Sequence, residues 1–319
     1  MTGQPAEEGP ELPSKSYYRA QSDVRDAAGF SCVRTLSGPS AHSGAVTSLR
    51  FVSADVNRFI SGSEDGTARM WDVESGKVIA TVENDSKKKE ESGAITGVDV
   101  GQDADVIVTS DDNFKAKLWD LRTPKAPVHV FNGHTHVVTS CSFAPTGQMI
   151  ATGSFDETAR LWDPRTGSAI AVIPAHSEPV TCVQFSKGSV RPNLATTSLD
   201  GTCRIWSSHS RECLRTIVPT NDVGDRAPVT SVRFTPNNQY VLMNSLHNKI
   251  LLFDPRLDPL SNGDLSAANV PGHRLEHPLL KKTYEGHMNT RISMKSVFMT
   301  RCTDGAKLVL SGSEDHHVR

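Results

Sequence analysis

The sequence predicts an all-β fold made of one four-stranded sheet repeated along the chain, and three observations predict it. All four tryptophans, Trp71, Trp119, Trp162 and Trp206, fall 48, 43 and 44 residues apart. Each stands near the end of a similar phrase: SGSEDGTARMWD (61–72), TSDDNFKAKLWD (109–120), TGSFDETARLWD (152–163) and TTSLDGTCRIWS (196–207). Around these phrases run alternating, β-branched stretches punctuated by Gly, Asn and Asp, with no convincing amphipathic helix. A period near 40–45 residues holding about four strands is that of a β-propeller blade.

Taken in order, residues 1–30 begin with the acidic, Pro-rich MTGQPAEEGPELPSK, lack apolar periodicity, and are expected to form a disordered tail rather than a signal peptide. SCVRTLS (31–37) alternates like a strand, of the kind that completes the last blade of a propeller. An apolar strand such as AVTSLRF (45–51) or VVTSCSF (137–143) opens each repeat. A second strand, a tight Asp-Gly-type turn and the Trp-bearing strand follow. A fifth phrase, MNSLHNKILLFD (243–254), puts Phe253 in the tryptophan position, and a sixth, SGSEDHHVR (311–319), runs to the last residue. With the Trp-Asp signature and a Gly-His upstream, these are WD repeats, and residues 31–319 are expected to form one WD-repeat β-propeller. The sixth phrase stops inside its Trp-bearing strand, whose hydrogen bonds and apolar face need a neighbour. The expectation is therefore a C-terminally truncated propeller of about five and a half blades, with closure at six blades through 31–37 as the alternative. Two segments break the period, 83–93 with its KKKEE run and 255–278, rich in Pro, Gly and Asn; both read as surface loops.

Composition narrows the function classes. A net charge of −2 with no Lys/Arg-rich face argues against direct nucleic-acid binding. No apolar run approaches the roughly 18 residues of a membrane span. The six cysteines show no metal-ligand spacing and read as buried, reduced thiols of an intracellular protein. No phosphate loop, H-E-x-x-H or G-x-S-x-G motif is present, so no cofactor, metal, catalytic residue or small-molecule substrate is expected.

One polar set recurs: His42, Ser61, Asp65 and Trp71 in blade 1; His134, Thr152, Asp156 and Trp162 in blade 3; His176, Thr196, Asp200 and Trp206 in blade 4. A buried indole N–H needs an acceptor, and a Ser/Thr hydroxyl can accept it and donate onward to a His held by Asp. A Ser-His-Asp catalytic site is needed once, whereas this set repeats with Trp always at its end, so it reads as a structural network. Blade 2 lacks the His and blade 5 has His247 in the Asp position, so these two blades are expected to be locally less stable.

The stretches GSFDETARLWDPRTG (153–167), PAHSEPVTCVQF (174–185), DGTCRIW (200–206) and PVTSVRFTPNNQYVLMNSLHNKILLFD (228–254), with KTYEGHMN (282–289) and LSGSEDHH (310–317), keep one blade order and register. Through them residues 31–319 resemble the WD-repeat protein five family, the WD-repeat scaffold subunit of SET-type (COMPASS/MLL) histone methyltransferase complexes. The resemblance implies seven blades in the intact protein and a nuclear, non-catalytic scaffold, with cytoplasmic placement as the alternative. The implied partners are a SET-domain methyltransferase, its sister subunits and a histone tail. It also implies a groove between blades 5 and 6 for an acidic-hydrophobic segment, at Asn237, Tyr240, Leu252 and Phe298. At the central opening it implies roles for Asp112 and Phe155, ringed by the hydroxyls of Thr47, Thr96, Thr181, Thr230 and Ser293. Where the family sandwiches an arginine between two Phe rings this chain has Thr139 and Lys295, which cannot stack. A diverged scaffold of another machine, in RNA processing, ubiquitin ligation or signalling, is the alternative function.

Overall fold

The computed structural model describes residues 35–36, 40–52, 55–84, 93–188, 191–219, 226–256, 279–285, 287, 295–300 and 307–311. The expected tail 1–30, most of the strand expected at 31–37, the KKKEE run, residues 257–278 and the end of the sixth phrase (312–319) lie outside them. The chain divides into Met1–Thr35 and Leu36–Arg319, and all the strands belong to the second unit.

Among the described residues five four-stranded antiparallel sheets and a two-stranded sixth follow one another in strict sequence order. The first comprises β1 (Val46–Val52), β2 (Asp55–Ser63), β3 (Thr67–Asp72) and β4 (Val78–Glu83). The second comprises β5 (Ile95–Val100), β6 (Val106–Asp111), β7 (Ala116–Asp120) and β8 (His129–Phe131). The third has β9 (Val138–Phe143), β10 (Ile150–Ser154), β11 (Thr158–Trp162) and β12 (Ala169–Pro174). The fourth has β13 (Val180–Phe185), β14 (Asn193–Ser198), β15 (Cys203–Ser207) and β16 (Cys213–Ile217). The fifth has β17 (Val229–Phe234), β18 (Val241–Ser245), β19 (Lys249–Phe253) and β20 (Leu280–Tyr284), and the sixth has β21 (Ser296–Thr300) paired with β22 (Lys307–Ser311). The first strand of each sheet adjoins its counterpart in the next, β1 with β5, β9, β13, β17 and finally β21 in succession. This is a partial β-propeller of WD repeats.

The core lies between sheets. Trp119 packs with Ile60 and Met70 of the preceding sheet, Trp162 with Val108 and Phe131, and Trp206 with Leu161 and Ile173. Phe253 continues the pattern against Ile205 and Ile217, only 1% exposed. A Phe-sized side chain so buried contributes roughly 1.5–3 kcal/mol. The sheets approach closely because two glycines lack a side chain. A Cβ on Gly62 would stand 2.7 Å from Ile95 and Val98 methyls, and one on Gly153 equally close to Val180 and Val183.

Polar ties run between the same inner strands in three tiers. Thr47, Thr96, Thr139 and Thr181 each donate a hydroxyl to the next sheet's backbone, at Ile95, Val138, Val180 and Val229 oxygens. One level along, Ser48 Oγ accepts Val98 N–H at 3.3 Å and Ser140 Oγ accepts Val183 N–H at 2.9 Å. Further still, Asp99 accepts Phe143 N–H at 2.8 Å and Gln184 accepts Phe234 N–H at 3.0 Å. Side chains thus satisfy backbone donors along the innermost strands from the neighbouring sheet.

The tight turn before each third strand needs a left-handed residue. Gly66 (φ 77°), Gly201 (φ 76°) and Asn248 (φ 57°) supply it where expected, but so do Phe114 (φ 65°) and Glu157 (φ 68°), which pay a steric penalty there.

Candidate functional site

The repeated polar set assembles in three blades. His134 Nδ1 lies 2.8 Å from Asp156, its Nε2 lies 2.7 Å from Thr152 Oγ1, and Trp162 Nε1 donates to that same oxygen at 2.9 Å. In blade 4 the distances for His176, Asp200, Thr196 and Trp206 are 2.9, 2.8 and 2.9 Å. In blade 1, for His42, Asp65, Ser61 and Trp71, they are 3.0, 2.7 and 2.7 Å. A carboxylate only accepts, so the proton of each imidazole sits on Nδ1 and the hydroxyl donates to Nε2. Each hydroxyl therefore receives an indole N–H and gives its own proton to imidazole inside the core. It has no open face for a substrate, and the set is a strut.

Burial works to raise Asp65, but the Thr67 hydroxyl and backbone N–H, His42 and Ser43 outweigh it and bring the carboxyl down to about 2. Asp156 and Asp200 are held low in the same way, against burial, by Thr158 with His134 and by Thr202 with His176. Burial holds His134 and His176 below the ordinary imidazole range, although Asp156 and Asp200 pull the other way.

Blades 2 and 5 fill the missing positions differently. Trp119 Nε1 still donates to Thr109 Oγ1 at 3.0 Å. In place of His, Asn84 donates to Asp111 at 3.0 Å while accepting Lys117 Nζ at 2.7 Å, and Lys117 lies 3.7 Å from Asp111. The sequence reading missed this buried trio, whose members stand in three different segments. In blade 5 both partners change together. Phe253 has no N–H to give, and Met243, which takes the register position of Thr152, has no hydroxyl to receive one.

Asn237 is exposed in the turn after β17, where its Oδ1 accepts the Thr235 hydroxyl at 2.7 Å and Gln239 N–H at 3.1 Å. Tyr240, half-buried, carries the Arg256 guanidinium 5.8 Å from its ring centre, and Arg256 in turn binds Asp254 at 2.9 Å. Leu252 is half-buried on β19, between Leu242 and Lys282 in register. Phe298 pairs with Val309 in the β21–β22 ladder, which puts it on the blade after the other three; its side chain lies outside what the structure describes.

Asp112 is exposed in the turn after β6. Phe155, 41% exposed, lies 5.6 Å from His136, which lies 5.6 Å from Phe114, also 41% exposed. Neither Phe114 nor His136 stood out in the sequence. The one available signal was an aromatic residue in the turn slot that Gly fills in blades 1 and 4. Thr139, where the resembled family has a stacking Phe, donates to Gly153 oxygen at 3.0 Å as well as to Val180 oxygen at 2.7 Å. Burial, with Arg233 and Arg50 nearby, lowers Lys295. Ser293 lies outside the described residues.

Cys141, Cys182 and Cys203 are buried, and burial pushes the Cys141 thiol up to about 12. Cys213 is exposed, against expectation, because it lies on the outermost strand of its sheet. Cys32 and Cys302 lie outside the described residues. Among the described residues no group of three or more His, Cys, Asp or Glu is placed to hold a metal ion.

The family model "WD domain, G-beta repeat" matches residues 30–72, 125–163 and 167–207. The COMPASS component SWD3 of Saccharomyces cerevisiae is 32% identical over 157 residues, 48% of this chain and 48% of that protein. A guanine nucleotide-binding protein subunit beta of Arabidopsis thaliana is 30% identical over 171 residues, 52% of this chain and 45% of its own. Pre-mRNA-processing factor 19 of Oryza sativa subsp. japonica is 28% identical over 217 residues, 68% of this chain and 39% of its own. The chain thus spans about half the length, or less, of these relatives. The repeated four-stranded sheets and the repeat matches together make this chain an all-β WD-repeat protein, similar over part of its length to SWD3 and to the other relatives named.

Proposed function

We propose that this scaffold assembles a nuclear histone methyltransferase complex by holding extended peptide segments of a SET-domain methyltransferase and its sister subunits. The likeness to the COMPASS component SWD3 carries the reading. The exposure of Asn237 and the partial exposure of Tyr240 and Leu252 on one blade support it. In this reading Tyr240 offers a ring face and Leu252 an apolar floor to the segment. Asn237, whose Oδ1 is engaged in its own turn, has its amide protons to offer. Phe298, on β21 of the next blade, is the fourth position of the groove in this reading. Asp112 shares the turn after β6 with Phe114, whose ring joins His136 and Phe155, and a carboxylate together with aromatic rings is a combination that suits a cationic side chain such as those of a histone tail.

Tagged pull-down from native cells with mass spectrometry tests this. Recovery of a SET-domain methyltransferase and its sister subunits supports it, and Tyr240→Ala is expected to reduce their recovery about tenfold or more with the urea midpoint unchanged. Retained binding by a folded Tyr240→Ala protein sinks the groove assignment. A second reading, a diverged scaffold of another machine, is favoured by Thr139. That residue ties adjacent blades where a stacking ring would be needed. Recovery of splicing, ubiquitin-ligase or signalling components would establish that reading instead.

A further inference from the structure

Two clefts open side by side across the third, fourth and fifth sheets. The first, about 620 Å³, is lined by Gln148, Met149, Arg165 and Ile170 of the third sheet and, from the fourth, Arg191, His209 and Arg211 among others. The second, about 600 Å³, lies between the fourth and fifth sheets and includes Arg191, Leu214, Arg215 and Arg256. Arg191 borders both, so they form one track. Among the described residues neither lining contains an Asp or Glu, although the whole chain is close to neutral. Asp163 stands 3.6 Å from Arg165 and Asp254 2.9 Å from Arg256. No carboxylate among the described residues lies within ion-pair distance of Arg211, which is exposed.

The track is also partly apolar. Ile170 on β12 and Leu214 on β16 are 37% and 46% exposed and face these clefts. Both strands are the outermost of their sheets, so their free edges carry unpaired backbone groups. Basic side chains at intervals, aliphatic contacts between them and strand edges alongside suit an extended chain better than a compact ion. Among the described residues no Phe, Tyr or Trp ring is exposed in the lining of the track to stack on nucleic-acid bases, as single-stranded binders need.

We infer that this track is a second docking surface, separate from the Asn237–Tyr240–Leu252 groove, for an extended acidic segment of a partner protein with aliphatic residues between its carboxylates. The inference shares with the proposed function only the premise that the scaffold binds peptides.

Selection of a random twelve-residue peptide phage library on the immobilised full chain tests it. Acidic, aliphatic-rich sequences are expected to be enriched. Their synthetic versions are expected to bind about tenfold more weakly to a His209→Glu, Arg211→Glu variant, to weaken with added salt, and to bind Leu252→Ala unchanged, since Leu252 borders neither cleft. Both substituted positions are exposed turn residues, and an unchanged urea midpoint checks that the variant is folded. No enrichment, enrichment of sequences without acidic residues, or equal binding to the charge-reversed variant overturns the inference. So does a labelled single-stranded oligonucleotide that binds more tightly than the peptides and is lost on charge reversal. Because Leu252 belongs to the groove alone and Arg211 to the track alone, either surface can fail without the other.

Discussion

Thr152 has both of its hydrogen-bonding capacities committed: Oγ1 receives Trp162 Nε1 at 2.9 Å and gives its proton to His134 Nε2 at 2.7 Å. Valine matches its shape but can do neither. Thr152→Val is expected to strand an indole N–H and an imidazole nitrogen in the core and to cost about 2–4 kcal/mol, read from urea unfolding. A cost below about 1 kcal/mol would mean water replaces the hydroxyl. This set was legible from sequence because its members keep fixed offsets in three repeats. The Phe114–His136–Phe155 row was not, because its rings come from three segments and the two Phe residues occupy different positions of the repeated phrase.

Whole blades can change their polar wiring without changing their strands. The second sheet keeps its register although its His position is empty, and Asn84, Lys117 and Asp111 form a different buried tie in it. Burial raises the Asp111 carboxyl, while Lys115 N–H, the Lys117 ammonium and Asn84 act to lower it. Lys117→Met keeps the stem but removes that cation from a buried site, so it is expected to destabilise by about 3–5 kcal/mol in urea. A near-neutral result would show that Asp111 takes up a proton instead. The sequence reading expected weakness in this blade from the missing His. The Asn84–Lys117–Asp111 trio makes no hydrogen bond to Thr109, so lower amide-exchange protection in blades 2 and 5 is the expected outcome, and uniform protection across the blades would contradict it. In blade 5 both partners change, Phe253 with Met243, so apolar side chains stand where a hydrogen bond would be.

At the scale of the whole molecule the repeated struts act together as pH falls. His134 and His176 lie below the ordinary value of 6.5 in the fold, so the unfolded chain takes up their protons first. Their contribution is complete above 6.5 and is lost as pH drops below it. Asp65, at about 2, and the lowered Asp156 and Asp200 act lower down. Their contribution is complete above 3.8 and disappears as pH falls through their folded values. Urea midpoints are expected to fall first between pH 7 and 5 and again below pH 4. A His134→Gln, His176→Gln protein, less stable throughout, is expected to show a shallower first fall; an equal slope would assign the titration elsewhere.

Sequence by itself determined the strand order, the turns, the position of each aromatic plug and the His–hydroxyl–Trp struts. All of these lie within one repeat, where spacing converts directly into register. Only the tertiary structure decided how blades are tied and what their surfaces gather. Asp99 meets Phe143 N–H across 44 residues and Gln184 meets Phe234 N–H across 50. Thr139, read in sequence as a lost ring, proves to be one of these ties. Arginines that look scattered along a near-neutral chain collect on one track because the turns carrying them end on the same side of neighbouring sheets. Such neighbours are chosen by the packing of sheet on sheet, and no period within a single repeat encodes which side chains that packing brings together.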